Sequence, residues 1–146
     1  LVILRYFSVY GPRQRPDMGY HRFIAAMLRG ETITVNGDGL QVRGNTYISD
    51  AVAATLAVLD APVGEIYNVG GGQTANVWEI LAKLETILGY RAIVRREPAR
   101  AGDQRVTGAD TGKLYRHVNW EPRVGLDEGL ARQVAWHRSL LQRQAA

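Results

Sequence analysis

The amino-acid sequence predicts an α/β fold, because short strand patterns alternate with helix patterns along its 146 residues. Residues 1–7 form a continuous run of β-forming apolar residues that ends at Gly11-Pro12, which is typical of a buried parallel strand. A similar run covers residues 65–69. Both runs are apolar on both sides, which predicts that they are buried within a sheet whose other strands lie outside this sequence. The start at Leu1, directly in a strand, likewise predicts a longer chain upstream.

Helical spacing of apolar residues predicts five helices. They cover residues 20–28 before Gly30, 49 or 50 to about 59, 77–88 before Gly89, 110 to 117, and 126 to about 143. The predicted N-caps are Ser49 or Asp50, Asn76 in a capping box with Glu79, and Asp110. In the last helix, Leu130, Val134 and Leu141 are predicted to face inward, and residues 142–146 to fray.

Short strands are predicted at residues 33–35, 46–48 and 92–94, with a tight turn at Asn36-Gly37-Asp38-Gly39. Gly70-Gly71-Gly72 follows a strand but lacks the G-x-G-x-x-G spacing and the later acidic partner of a dinucleotide-binding turn. We therefore interpret these three glycines as a loop.

The composition excludes several classes of function. The chain has no cysteine, which rules out disulfides and thiolate chemistry, and its three histidines are not spaced as metal ligands. No apolar run approaches the roughly 20 residues that span a bilayer, so we expect a cytoplasmic protein without a membrane partner. The net charge of +4 comes almost entirely from arginine, which suits phosphate or reflects coding bias. Acidic residues are interspersed, so we expect no nucleic-acid partner.

Five blocks of the sequence, in order and spacing, resemble the extended short-chain dehydrogenases that epimerise or dehydrate nucleotide-sugars. The first block is residues 4–17, Leu-Arg-Tyr-Phe-Ser-Val-Tyr-Gly-Pro-Arg-Gln-Arg-Pro-Asp. The others are Gly37-Asp38-Gly39 with Gln41 and Arg43, Tyr47-Ile48-Ser49-Asp50, Ile66-Tyr67-Asn68-Val69-Gly70, and Arg100-Ala101-Gly102-Asp103 leading to Asp110-Thr111-Gly112-Lys113. The ending, from Asn119-Trp120-Glu121-Pro122 into Leu126, is also similar to the family's last helix.

The resemblance implies a two-part enzyme, in which an amino-terminal doubly wound domain holds NAD and a carboxy-terminal region holds the nucleotide diphosphate. This sequence resembles the second part: a single unit, residues 1–146, with two strands that would complete a Rossmann-type sheet. The family's glycine-rich NAD turn and its Tyr-x-x-x-Lys pair have no match here. We therefore assign no catalytic residue to this chain, and expect NAD to be bound mainly by the other half and the full-length protein to be a homodimer.

The resemblance also implies residues that bind the substrate. Arg43 corresponds to the arginine that grips the diphosphate, although Gly44 stands where the family usually has aspartate. That replacement predicts a less firmly oriented Arg43. Arg100 and Asp103 match an Arg-x-x-Asp in which the arginine meets phosphate and the aspartate accepts hydrogen bonds from ribose hydroxyls. Ser8 stands where the family more often has an asparagine that reaches the sugar or its phosphate.

Further positions carry weaker implications. Backbone groups of Thr34 and Asn36 could read the base, while Asn36 replaces an aromatic residue that stacks on it in many relatives. Thr107 stands where glucose-restricted relatives carry a bulky tyrosine, which leaves room for an N-acetyl group. Tyr6 and Phe7 could border the nicotinamide pocket, or could be core residues.

The expected ligand is a nucleotide-diphosphate sugar, with a UDP-sugar preferred and 4-epimerisation as the first choice of reaction. A dehydratase, a decarboxylase and a non-catalytic nucleotide-sugar-binding module remain open alternatives. For His21, a phosphate or hydroxyl contact and a solvated helix face are both open. Tyr67, Asn68 and the three tryptophans are expected to be structural.

Overall fold

The structure is a computed structural model that describes residues 1–144. Strands and helices alternate along them, which confirms the predicted α/β class. The helices are α1 (Gly19–Arg29), α2 (Ile48–Ala57), α3 (Val77–Leu88), α4 (Gly112–Val118) and α5 (Leu126–Gln144), and a 3-10 turn (Val58–Asp60) follows α2. The strands are β1 (Ile3–Tyr6), β2 (Val9–Tyr10), β3 (Ile33–Asn36), β4 (Val42–Gly44), β5 (Thr46–Tyr47), β6 (Ile66–Val69), β7 (Thr74–Ala75), β8 (Val94–Glu97) and β9 (Val106–Thr107).

The strands pair in four small groups that are mostly parallel. β1 pairs with β6, β2 with β5 and β3 with β8, all in parallel. β4 lies between β7, its antiparallel partner, and β9, its parallel partner. The turn at residues 36–39 therefore does not close a hairpin, because the strands on either side of it belong to different groups.

The first predicted strand pairs as expected but is not covered. Within residues 1–144, β6 is the only strand that pairs with β1, so the second edge of β1 is open. Ile3 and Tyr6 of β1 are 45% and 47% exposed, and Ile66 of β6 is 37% exposed. The described residues thus leave β1 partly exposed, and its burial by further strands stays a prediction.

Local signals for helix termini are largely confirmed. Asn76 accepts a hydrogen bond of 3.0 Å from the backbone N–H of Glu79, and the Glu79 carboxylate accepts one of 2.8 Å from the N–H of Asn76. Gly30 and Gly89 end α1 and α3 in the left-handed conformation, with φ of 68° and 87°. Gly39 is required for space as well, because a Cβ there would lie 2.5 Å from the indole nitrogen of Trp78.

Other local predictions are wrong. Neither Ser49 nor Asp50 caps α2, which begins at Ile48, and Tyr47 is its N-cap residue without a side-chain cap. The strand predicted at residues 92–94 lies at 94–97, opposite β3. Asp110 is not the N-cap of α4, although its carboxylate accepts a hydrogen bond from the N–H of Gly112.

The end of the chain also differs from the prediction. Leu141 is 41% exposed, because the inward stripe of α5 ends before it. The helix continues through Gln144, so residues 142–144 are not frayed, and residues 145–146 of that prediction lie outside the described residues. None of the helices in residues 1–144 has the length and apolar character needed to cross a membrane.

Two apolar cores organise the molecule. The larger lies between α1, α3 and α5 and the strand β3, and includes Ile24, Leu84 and Leu130, which are fully buried. The smaller core packs α2 and α4 on β6 around Tyr67 and Leu114. The Tyr67 hydroxyl lies 2.8 Å from Nδ1 of His117, which fits the structural role expected for Tyr67.

Asp50 joins these cores through its buried carboxylate. One carboxylate oxygen accepts hydrogen bonds of 3.1 and 3.0 Å from the backbone N–H groups of Arg123 and Val124. The carbonyl oxygen of Asp50 accepts a third, of 3.1 Å, from the indole N–H of Trp120. The segment that leads from α4 to α5 is therefore fastened to the first turn of α2.

A second buried polar group lies where α1 meets α5. His137 is 5% exposed, and its Nε2 has no hydrogen-bond partner within residues 1–144. Its ring packs edge-to-face on His21 at 4.4 Å and on Trp136 at 4.9 Å. Burial, with smaller effects from His21 and Arg29, lowers the pKa of His137 from 6.5 to about 4.

Replacing Asp50 with alanine tests the first of these contacts. The change leaves two backbone N–H groups without an acceptor, so we expect the free energy of unfolding to fall by about 3 kcal/mol. Urea unfolding followed by circular dichroism measures this loss. The control is Asp60→Ala, at an exposed position nearby, which should change stability by less than about 0.5 kcal/mol. Equal effects of the two variants would contradict the assigned role.

The low pKa of His137 predicts a stability that falls as the pH falls from 6.5 toward 4. In that window the unfolded chain binds a proton that the folded protein rejects, so protonation favours unfolding. The loss reaches about 3 kcal/mol near pH 4, since each unit of pKa shift corresponds to about 1.4 kcal/mol. Urea unfolding at several pH values should show the wild type losing about 3 kcal/mol more than His137→Leu between pH 6.5 and 4. Equal losses in the two proteins would exclude the effect.

Candidate functional site

Short strand pairings place three polar side chains in a row. The N–H of Thr46 donates a hydrogen bond of 2.9 Å to the carbonyl of Ser8, and Val9 is in register with Thr46. Ser8 and Asn45 each precede that pair and are therefore neighbours. Arg43 lies two residues before Asn45, and side chains along an extended chain alternate in direction, so Arg43 and Asn45 point to the same side.

These three side chains line the middle of a groove made of three adjoining cavities. The middle cavity has a volume of about 260 Å³ and is also lined by Asp103. A cavity of about 500 Å³ between α1 and β3 shares Phe23 and Gln41 with it. On the other side, a cavity of about 510 Å³ shares Ser8, Gln14 and Met18 with the middle one. We call these the β3 cavity, the middle cavity and the β1 cavity.

Arg43 and Asp103 form the charged centre of the groove. Nη2 of Arg43 donates to Oδ1 of Asp103 at 2.6 Å, and its Nη1 donates to the carbonyl of Gln104 at 2.6 Å. The second carboxylate oxygen of Asp103 accepts a hydrogen bond of 3.2 Å from the Gln41 side chain. The expectation that glycine at position 44 loosens Arg43 is wrong, because Asp103 supplies the orienting carboxylate from another loop.

Gln41 extends this network toward the β3 cavity. Its amide nitrogen also donates to the carbonyl of Asn36 at 3.3 Å. Thr34 and Asn36 both line that cavity, which is where the sequence predicts a base-binding segment. The side chains at the predicted diphosphate and ribose positions are therefore linked, through Gln41, to the backbone at the predicted base position.

Tyr6 and Phe7 line the β1 cavity together with Ser8. The hydroxyl of Tyr6 lies 2.5 Å from the hydroxyl of Thr55 in α2, so this ring is held from one side. Arg13, with a φ of 67°, and Arg15 line the same cavity. This end of the groove thus combines aromatic rings with two arginines.

Two predicted residues do not line the groove. Arg100 lies on an exposed loop, where its carbonyl accepts a hydrogen bond from the N–H of Asp103. Thr107 lies opposite Arg43 in the β4–β9 pair, and its hydroxyl donates to the side chain of Gln104 at 3.2 Å. Both residues adjoin the charged centre through the backbone without contributing to the walls of the three cavities.

A network of two glutamines, which sequence reasoning did not identify, holds the loop at residues 11–17. Gln133 of α5 is fully buried, accepts a hydrogen bond of 3.1 Å from the N–H of Gly11, and donates one of 2.9 Å to Gln14. Gln14 donates to the carbonyl of Val9 and accepts from the N–H of His21. The sequence contains a signal for this network, because Gln133 and His137 are polar residues at inward positions of an amphipathic helix.

His21 is half-buried, so it does not lie on a solvated helix face, and it lines the β3 cavity, where a contact with a phosphate or hydroxyl stays a prediction. Its Nδ1 lies 2.9 Å from the carbonyl of Gln14, and its ring packs on His137. Among residues 1–144 there is no group of three or more His, Cys, Asp or Glu side chains that could hold a metal ion.

Comparisons with known proteins identify the family to which the chain is similar. The family model "NAD dependent epimerase/dehydratase family" matches residues 1–70. A UDP-glucuronic acid 4-epimerase from Bacillus cereus, solved in complex with UDP-glucuronic acid and NAD, is 40% identical with a TM-score of 0.90. That alignment covers 95% of this chain and 45% of the other. The chain belongs to the NAD-dependent epimerase/dehydratase family.

Alignments with curated relatives also cover nearly all of this chain and about half of each relative. An uncharacterized UDP-glucose epimerase of Bacillus subtilis is 42% identical over 97% of this chain and 46% of its own length. A UDP-glucuronate 4-epimerase of Thermodesulfobacterium geofontis is 39% identical over 96% and 44%. Relatives at 32% and 34% identity are named as a decarboxylase and a dehydratase. The chain spans about half the length of these family members and covers the carboxy-terminal part of the NAD-bound structures.

Proposed function

We propose that this protein is an NAD-dependent UDP-sugar 4-epimerase and that the groove of this chain is its substrate-binding site. The observation that carries the proposal is the order of groups along the groove. From the β3 cavity to the β1 cavity, the groove presents four groups in order. They are a segment suited to a base, a carboxylate suited to a ribose, an arginine suited to a diphosphate and a hydroxyl suited to a sugar. A nucleotide-diphosphate sugar has the same order of parts.

In this proposal each side chain of the groove binds or orients the substrate. Arg43 neutralises the diphosphate, and its planar guanidinium offers parallel donors to phosphate oxygens. Asp103 accepts hydrogen bonds from ribose hydroxyls, which a carboxylate can do while also accepting from Arg43 and Gln41. Backbone groups of Thr34 and Asn36 contact the base. These contacts position the sugar for reaction without forming bonds to it.

The residues present fit only one end of NAD. Tyr6, Phe7 and Ser8 form an aromatic and polar wall of the β1 cavity that suits a nicotinamide ring. Gly70-Gly71-Gly72 leads into β7 and not into a helix, so it provides no helix N-terminus for a pyrophosphate. When bound, NAD would exchange a hydride with the sugar. The chain would contribute only the wall beside it.

The arginines of the β1 cavity indicate which kind of sugar this end of the groove favours. Arg13 places positive charge where the sugar would lie, which favours a sugar that carries a carboxylate, whereas the charge of Arg15 is paired with Asp17. Two of the relatives described above are named for UDP-glucuronate or UDP-glucuronic acid. We therefore propose UDP-glucuronate as the first substrate to test, with UDP-glucose as the neutral comparison.

Loss of the central arginine tests the binding site. We expect Arg43→Leu to weaken UDP binding at least about tenfold, because the diphosphate loses a charge-assisted contact. Isothermal titration calorimetry with UDP at constant ionic strength measures the change. The control is Arg95→Leu, which removes the same charge from an exposed ion pair with Glu97 outside the groove.

Two results would contradict the site. The first is an equal effect of the two arginine substitutions, which would indicate general electrostatics. The second is binding to generic DNA that is as tight as binding to UDP and falls steeply with salt, which would support a nucleic-acid-binding protein.

The products identify the reaction. The protein expressed from its own gene, supplied with NAD and UDP-glucuronate, should form the C4 epimer and reach the same equilibrium mixture from either sugar. Anion-exchange chromatography with mass spectrometry separates the alternatives. Loss of carbon dioxide would indicate the decarboxylase, loss of water from a nucleotide-linked glucose would indicate the dehydratase, and UDP-sugar binding without turnover would indicate the binding module.

A further inference from the structure

A buried amide lies between the sugar and diphosphate ends of the groove. Asn45 is 8% exposed, lines the middle cavity and is the central member of the row formed with Ser8 and Arg43. Its Nδ2 donates a hydrogen bond of 2.8 Å to the hydroxyl of Tyr20. The other amide atom, Oδ1, has no hydrogen-bond partner among residues 1–144. This end of the amide is not fully enclosed, so a ligand or a water molecule in the middle cavity can form a hydrogen bond with it.

Tyr20 lets this amide present either of its two ends to the cavity. Burial raises the pKa of the Tyr20 hydroxyl well above its ordinary value, an effect that the hydrogen bond with Asn45 partly opposes. The hydroxyl therefore keeps its proton and both donates and accepts. With Oδ1 turned toward Tyr20, the NH₂ group of Asn45 faces the cavity as a donor.

We propose that Asn45, held by Tyr20, is a positioning residue that donates a hydrogen bond to the sugar-side phosphate of the bound nucleotide-sugar. This inference rests on the proposed function and adds a residue to it. Arg43, two residues away on the same side of the chain, supplies charge to the diphosphate. Ser8, the neighbour on the adjacent strand, lies toward the β1 cavity and the sugar. The position between them corresponds to the phosphate that carries the sugar.

Phosphate is the group that this donor fits best. A phosphate oxygen only accepts hydrogen bonds, so it selects the orientation of Asn45 in which NH₂ faces the cavity and Oδ1 accepts from Tyr20. That orientation satisfies both ends of the amide and the tyrosine hydroxyl together. Because the amide of Asn45 is neutral, this contact does not disturb the ion pair between Arg43 and Asp103.

Nucleotides of different length locate the contact. The variants are Asn45→Leu, which keeps the branched shape of the side chain without the amide, Tyr20→Phe, and the two combined. The ligands are UMP, which lacks the sugar-side phosphate, UDP, which has it, and UDP-glucuronate. Affinities are measured by isothermal titration calorimetry, and the fold of each variant is checked by circular dichroism.

The expected pattern separates the two phosphates. Asn45→Leu weakens UDP and UDP-glucuronate about tenfold and changes UMP less than about twofold, since a hydrogen bond to a charged oxygen is lost. Tyr20→Phe weakens UDP about threefold in the wild-type background. It has no further effect on Asn45→Leu, because it acts through the amide.

Several outcomes would overturn the inference. An unchanged affinity of Asn45→Leu for UDP would exclude the proposed contact. Equal losses of affinity for UMP and UDP would indicate a structural effect of the substitution. A loss of affinity confined to UDP-glucuronate would show that the amide contacts the sugar. If Asn45→Leu does not fold, Asn45→Asp replaces it: a carboxylate cannot donate to phosphate, so UDP must weaken more than UMP. A wild-type protein that binds no UDP overturns the proposed function itself, whereas normal wild-type binding with an insensitive variant overturns this inference alone.

Discussion

The fold depends on the buried carboxylate of Asp50, which fastens the end of the chain to its middle. Through the N–H groups of Arg123 and Val124 it holds the segment between α4 and α5, and its carbonyl holds Trp120 of the smaller core. Val124 and Leu126, which follow directly, pack on the larger core. Asp50 thus fixes the segment that enters α5, and α5 in turn holds the loop beside the groove through Gln133.

Much of the fold could be predicted because the signals are local. The capping box at Asn76 and the left-handed glycines at positions 30 and 89 depend on a few adjacent residues, and the structure confirms each of them. Predictions failed where distant partners decide the outcome. Asp50 resembles a cap by sequence, but its acceptors serve residues more than seventy positions away. The strand at 94–97 takes its position from β3, which its own residues do not specify.

The candidate site, like the fold, could be predicted only in part. Family resemblance led to Arg43, Asp103, Ser8, Thr34 and Asn36, and the structure brings these into one groove, whereas Arg100 and Thr107 stand beside it. The pairing of Arg43 with Asp103 could not be foreseen, because it joins strand β4 to a loop sixty residues further along the chain. The amide of Asn45 was equally hidden. Its proposed role depends on the hydrogen bond with Tyr20, which lies twenty-five residues earlier in the sequence, in α1.

The connected side chains of the groove have a consequence for the energetics of ligand binding. Arg43, Asp103 and Gln41 already hold one another before any ligand arrives. The loss of side-chain rotamer entropy therefore belongs to the folding of the protein and not to the association step, which favours affinity. The same network limits adaptability, because a ligand that needs Arg43 in another rotamer must first separate it from Asp103. Such a groove discriminates by shape among similar ligands and does not remodel itself around each one.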